Sequence, residues 1–152
     1  MIEGDLSIFL EHQLDPEANY MAAFTARDPA DRIAFTAHWT KILVDDTVTI
    51  RTIILDGHVA GYVASWVDTG WLGKPEVTYW IGREYWGKGI ATKALSEFLT
   101  HKKARPLYAR AARDNIASIR VLEKCGFVIF GYHKGFARAR GGEVEEALLE
   151  LR

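Results

Sequence analysis

Trp86-Gly87-Lys88-Gly89-Ile90-Ala91-Thr92 is the stretch whose residue types can do chemistry. Before it lies a β-branched, aromatic run, Val77-Thr78-Tyr79-Trp80-Ile81. After it, apolar residues recur at Ile90, Ala94, Leu95, Phe98 and Leu99. The run predicts a strand and the spacing predicts a helix. The first N–H groups of a helix have no partner within it, and the helix dipole is positive at that end. Two glycines keep side chains off the backbone. The expected product is a cup of N–H donors suited to a phosphate or pyrophosphate, with Lys88 adding a full charge. The same glycines also suit a tight strand-to-helix turn with no ligand.

Spacing separates the phosphate motifs. A P-loop needs Gly-Lys-Ser or Gly-Lys-Thr, and neither occurs. Gly87-Lys88-Gly89-Ile90-Ala91-Thr92 offers two glycines of a dinucleotide fingerprint but Thr92 at the third, and no second βαβ unit follows. Trp86 to Ala91 instead resembles the pyrophosphate loop of the GNAT acetyltransferase superfamily, Q/R-x-x-G-x-G/A. It matches at Gly89 and Ala91, with Trp86 in place of Gln or Arg. Downstream, Asn115-Ile116-Ala117-Ser118-Ile119-Arg120-Val121-Leu122-Glu123-Lys124-Cys125-Gly126-Phe127 is similar to N-x-x-S-x-R-V-L-E-K-x-G-F. That motif belongs to the branch resembling ribosomal-protein N-terminal (alanine) acetyltransferases. The resemblance covers Ile50 to the C-terminus well and the first fifty residues loosely.

The resemblance implies an α+β fold: a mixed, mostly antiparallel sheet of six to seven strands with flanking helices. Two strands, the one before the glycine turn and Leu107 to Ala111, would splay to admit coenzyme A. Backbone groups of Trp80, Ile81 and Gly82 would meet the pantetheine arm. The stretch Trp86, Gly87, Lys88, Gly89, Ile90, Ala91 and Thr92 would hold the pyrophosphate. Asn115 would hydrogen-bond the arm near its sulfur, although Asn is also a good helix N-cap. Arg120 and Lys124, four apart on one helix face, would join Arg83, Lys88, Lys93 and Arg113 in a cationic rim, some of it plain solvated surface. Many relatives carry a Tyr acid where this chain has Leu122. The resemblance to this branch implies that the hydroxyl at Ser118 serves instead, to protonate the leaving thiolate, and a thiol of pKa about 8.5 needs little help. Ser118 also reads as a first-turn helix serine.

The implied reaction is transfer of the acetyl group of acetyl-CoA to a primary amine by direct attack, with the oxyanion held by backbone N–H groups. The acceptor is a protein N-terminus or a small-molecule amine. Glu76 leads as general base, because it starts the strand running to the thioester and shares a face with Thr78 and Trp80. His58, His133 and Glu146 follow. Tyr79, Trp39, Trp66 and Trp71 are candidates to wall an acceptor cleft. Core packing is preferred for Trp39 and Trp66, and Trp71 is the best exposed candidate. Two other readings are a non-catalytic acetyl-CoA-binding or sensing module and a nucleotide-binding protein.

Composition bounds these readings. At 152 residues the chain fits one domain, 1–152, that buries about 70% of its unfolded surface. A net charge of −1 argues against a general nucleic-acid binder. One cysteine, Cys125, excludes an internal disulfide framework and suits a reducing cytoplasm. It reads as core. No run approaches the ~20 apolar residues of a membrane span, the five histidines form no metal-ligand spacing, and no metal is expected. Dimers are frequent among similar proteins.

The elements that must position these residues follow from caps and breakers. Asp5 can cap a helix to Gln13 with Leu6, Phe9 and Leu10 inward. The strand that opens the family fold is expected to be missing or very short. Asp15-Pro16 starts a second helix running Ala18 to Phe24. Asp28-Pro29-Ala30 starts a third, with Ile33, Phe35, Ala37, Trp39 and Leu43 partly inward. Thr47 to Leu55 and His58 to Val67 read as a hairpin around Asp56-Gly57, with a bulge or close approach at Gly61. Thr69 to Pro75 is a loop and Glu76 to Gly82 a strand. Gly126 closes the helix opened at Asn115. Phe127 to Phe136 and Glu143 to Leu151 end the chain as a hairpin.

Overall fold

The computed structural model describes residues 3–23, 28, 30–68 and 73–152. Among these residues six strands form one sheet in the order β1-β2-β3-β4-β6-β5. They are β1 (Thr49–Leu55), β2 (His58–Asp68), β3 (Lys74–Ile81), β4 (Leu107–Ala112), β5 (Val128–Ala137) and β6 (Gly142–Leu151). Every neighbouring pair is antiparallel except β3 and β4. Among the described residues five helices flank the sheet: α1 (Leu6–Gln13), α2 (Pro16–Ala22), α3 (Arg32–Leu43), α4 (Ile90–His101) and α5 (Ile116–Lys124). Among the described residues no strand precedes Thr49.

The two faces carry separate cores. Leu95, Phe98 and Leu99 of α4 and Ile119 and Leu122 of α5 pack on Val63, Val77, Ala109, Ala147 and Leu149 of the sheet. On the other face Phe9 and Leu10 of α1 join Phe35 and Trp39 of α3 over Ile50 and Tyr62. Alternation along the strands produces this division. Odd-numbered Val77, Tyr79 and Ile81 of β3 face α4 and α5. Even-numbered Glu76, Thr78 and Trp80 face the first three helices.

Several local expectations need correction. Asp5 stands at the N-cap position of α1, but its side chain makes no cap bond. It accepts instead from Thr52 Oγ1 at 2.7 Å, tying the helix to β1. The third helix starts at Asp31, whose Oδ1 accepts from Ala34 N–H at 3.0 Å. Asp28 spends its carboxylate on a local turn at Ala30. Helix α3 buries only the i, i+4 pair Phe35 and Trp39, while Ile33 is 84% exposed and Ala37 and Leu43 are exposed too. It lies on the sheet by a narrow stripe. Asp45 holds both N–H and Oγ1 of Thr47 in a turn, so β1 starts two residues later. Phe24, Pro29 and the loop 69–72, including Trp71, lie outside the described residues.

Other signals hold as read. Asp15 Oδ1 caps α2 through Glu17 N–H at 3.0 Å, with Pro16 at the first helical position. Asp56 and Gly57 turn the first hairpin with φ of 51° and 79°. Phe127 N–H bonds to Leu122 O and Gly126 N–H to Glu123 O, the paired closure of a helix ending in glycine. At Gly61 a Cβ would lie 2.0 Å from Trp80 O, so β2 approaches β3 there only as glycine.

Candidate active site

Strands β3 and β4 share one ladder pair, Glu76 with Tyr108, and part beyond it. Gly82 N–H donates to Ala60 O at 2.8 Å across the β2–β3 ladder. In an antiparallel ladder the bonded residues recur at every second position. Trp80 and Thr78 therefore turn their main-chain groups toward β2, and Tyr79 and Ile81 turn theirs toward the gap. Trp86 Nε1 donates to Ile81 O at 2.9 Å, folding the indole back over the end of β3.

The glycine turn closes one end of the gap. Gly87 and Gly89 both adopt φ of 74°, and a Cβ built on either meets nothing within 4 Å. Gly89 is the N-cap of α4 and supplies no side chain to cap it. The amides of Ile90, Ala91 and Thr92 thus open a helix whose mouth is clear. This left-handed conformation favours glycine, and the open cradle has the shape that a pyrophosphate needs.

A cleft of roughly 1460 Å³ runs along the gap and through to the face of the first three helices. It brings together Trp80, Ile81, Trp86, Gly87, Gly89, Ile90, Ala91, Thr92, Asn115, Ser118, Arg120, Lys124 and Glu76. Two expected residues are not among its walls. Gly82 faces the His12 ring, where an added Cβ would come within 2.5 Å of Nε2. The Lys88 side chain is exposed and is not part of the cleft wall. The cationic rim is smaller than the sequence suggests, because Arg83 pairs with Asp15 and Glu17 of α2. Arg113 likewise pairs with Glu145 and stacks on Tyr132.

Asn115 caps α5, with Oδ1 accepting from Ser118 N–H at 3.3 Å. Its Nδ2 donates to Met21 O at 3.2 Å, which fastens α2 to the start of α5. Ser118 is half-buried on the cleft wall. Its Oγ lies 2.6 Å from the Tyr79 hydroxyl. Burial pushes the Tyr79 phenol up to about 12, against the smaller opposing effect of that hydrogen bond. Leu122, at the family's usual Tyr position, is 2% exposed and belongs to the core.

On the other face, Glu76 is buried and both its oxygens meet Arg110, Nε to Oε1 at 2.8 Å and Nη2 to Oε2 at 3.2 Å. Removal of a proton from an amine by Glu76 would first have to loosen that pair. Glu146 of β6 is also buried and lies 3.9 Å from Arg110 Nη1. Burial raises its carboxyl above the usual range, as does the Glu76 charge, while Arg110 and His133 oppose the shift. His133 is the cross-strand partner of Glu146 and lines the same cleft. His58 opens on a separate small cavity with His12, Arg83 and Glu84. Trp39 is core, as preferred, whereas Trp66 is half-buried on the cleft wall. Cys125 packs partly buried against the core.

Neither the Tyr79–Ser118 contact nor the Arg110 pair was expected from the sequence. A signal for the first was present: Tyr79 alternates with Val77 and Ile81 on a core-facing strand, and a buried phenol needs a partner.

The sequence profile of the Acetyltransferase (GNAT) domain matches residues 2–128. A curated relative, the uncharacterized N-acetyltransferase p20 of Bacillus licheniformis, is 26% identical over 83 residues, 52% of this chain and 47% of that protein. The aligned stretch spans about half the length of that relative. Among solved structures, spermidine N-acetyltransferase from Vibrio cholerae, in complex with CoA and spermine, is 17% identical with a TM-score of 0.81, covering 99% of this chain and 91% of that one. Ribosomal-protein-alanine N-acetyltransferase from Brucella melitensis is 22% identical with a TM-score of 0.76, covering 99% and 95%. These two share the fold described above.

Proposed function

The chain belongs to the GNAT acetyltransferase domain family, and on that premise we propose that it moves the acetyl group of acetyl-CoA to a primary amine. The observation that carries the reading is the parting of β3 and β4 after one ladder pair, beside a clear helix mouth. The amides of residues 87–92 hold the pyrophosphate, with Arg120 and Lys124 nearby on the cleft wall. The backbone groups of Tyr79 and Ile81 that face the gap take the pantetheine amides and the developing charge on the carbonyl oxygen. Bound acetyl-CoA supplies an activated acyl group on a thiol leaving group.

The amine enters from the face of the first three helices, where Glu146 takes its proton directly or through one water. Glu146 suits this better than Glu76, whose oxygens are both engaged by Arg110. Glu76 serves to hold the guanidinium in place. The Ser118 hydroxyl donates to the departing sulfur. The acceptor is a polyamine or a protein N-terminus; the fold is shared with a spermidine acetyltransferase and a ribosomal-protein-alanine acetyltransferase. Among the described residues no helix is long and apolar enough to cross a membrane. The single thiol suits a reducing cytoplasm.

The test is turnover. Purified protein is mixed with acetyl-CoA and a panel of primary amines that includes spermidine and Ala-terminal peptides. Free thiol released above background hydrolysis with at least one amine is expected. Silence across the panel with cofactor bound would favour a binding module. Stronger thermal stabilisation by ATP or NAD than by acetyl-CoA would favour a nucleotide-binding protein.

A further inference from the structure

Two hydroxyl oxygens 2.6 Å apart, Tyr79 Oη and Ser118 Oγ, must share one proton between them. Either can be the donor, and the alternatives differ in where the second proton points. If Ser118 donates to the phenol, the phenol proton is left with Ser118 O at 3.3 Å, beyond the usual range for O–H···O. If Tyr79 donates to Ser118 Oγ, the short bond is used and the serine proton is turned outward. Outward is the cleft, because Ser118 lines its wall. We infer that Tyr79 is a positioning residue that aims the Ser118 hydroxyl proton into the cleft; this rests on the reading of Ser118 as the donor to the leaving sulfur.

The surroundings favour this arrangement. Tyr79 is fixed on β3 and packs against the core between sheet and helices. Burial keeps its proton on the phenol throughout the working pH range. Ser118 N–H is anchored to Asn115 Oδ1, so the first turn of α5 is held as well. Leu122 offers no hydroxyl from the next turn.

The step balances without an acid in the usual sense. The amine nitrogen forms a bond to the acetyl carbon, the carbon–sulfur bond breaks, and sulfur keeps the electron pair. The proton lost by the amine goes to Glu146 or water. The thiolate accepts a hydrogen bond from Ser118, which accepts one from Tyr79, each polarising the next. A thiol titrates near 8.5, well below the buried phenol at about 12. Tyr79 therefore keeps its proton and acts only through Ser118.

Tyr79→Phe keeps the ring and removes one oxygen, so the fold is not at stake. Steady-state kinetics are compared for the wild type, Tyr79→Phe, Ser118→Ala and the double variant. Tyr79→Phe should lower kcat roughly tenfold, the scale of one directed hydrogen bond, with KM for acetyl-CoA unchanged. In the Ser118→Ala background it should cost nothing further. Wild-type kcat in Tyr79→Phe, or an equal loss with and without Ser118, would overturn the inference while leaving Ser118 in place. A wild-type rate in Ser118→Ala would instead remove the reading of Ser118, and the inference with it.

Discussion

Glu76 and Glu146, from the strands on either side of β4, converge on one guanidinium, that of Arg110. Glu76 is held at 2.8 and 3.2 Å, Glu146 at 3.9 Å. The asymmetry sets two carboxylates of one site apart, which is how a single charge cluster supplies both a fixed ion pair and a group with proton affinity.

Glu146 should therefore govern the acidic limb of the pH–rate profile. Its carboxyl is held above the usual value of 4.5, chiefly by burial. A base must be ionised to act, so kcat/KM for the amine should rise with pH through that elevated value. Glu146→Gln should remove the limb and lower the rate roughly a hundredfold. Stability has the opposite sign. A raised carboxyl favours the folded state below its unfolded pKa and loses that advantage as pH rises through the folded one. Glu146→Gln should thus melt higher relative to wild type at pH 7 than at pH 4. A limb that survives the substitution would assign it to another group.

Arg110→Met should destabilise the fold. Glu76 is 4% exposed and would keep a charge without its guanidinium. Breaking a buried pair from one side costs about 3 kcal/mol, toward the low end of the range because Arg110 is partly exposed. The melting midpoint should fall by about 6–12 °C. Pairing the change with Glu76→Gln should recover part of the loss. An unchanged midpoint in the single variant would mean that the pair contributes little.

Leu122→Tyr should not restore the family's usual phenol acid. Leu122 is 2% exposed and packs in the core on the buried face of α5, so a larger side chain there overpacks it at about 1–3 kcal/mol. Thermal melts should show the loss and kcat should not rise. Leu122 also borders the cleft, so a faster enzyme would mean that a phenol there reaches the leaving sulfur without overpacking the core.

Much of this was legible in the chain. The glycine turn, the caps at Asp15 and Asn115, the Asp56-Gly57 hairpin and the closure at Gly126 each declare themselves through local chemistry. The parting of β3 and β4 was accessible only through resemblance, since a strand's edge pairing leaves no mark on its residue pattern. The Asp5–Thr52 bond joins positions 47 apart and overrode a cap that local rules favour. Arg110 sits within Leu107-Tyr108-Ala109-Arg110-Ala111, where it reads as one charge in a buried strand. Its two carboxylates come from strands 34 and 36 residues away, Glu76 and Glu146. Such pairs are fixed by sheet order, which local spacing does not encode.

The central claim is that the open mouth of α4 and the gap beside it grip coenzyme A. Calorimetric titration of acetyl-CoA into wild type and Gly89→Glu tests it most directly. Gly89 adopts φ of 74° with open space at its Cβ position, so a carboxylate there enters the cradle and repels the pyrophosphate, at a backbone cost of about 1–2 kcal/mol. Saturable binding by the wild type, lost in a Gly89→Glu variant that still folds, is the predicted result. Equal affinity in both proteins, or no binding by the wild type, would contradict it.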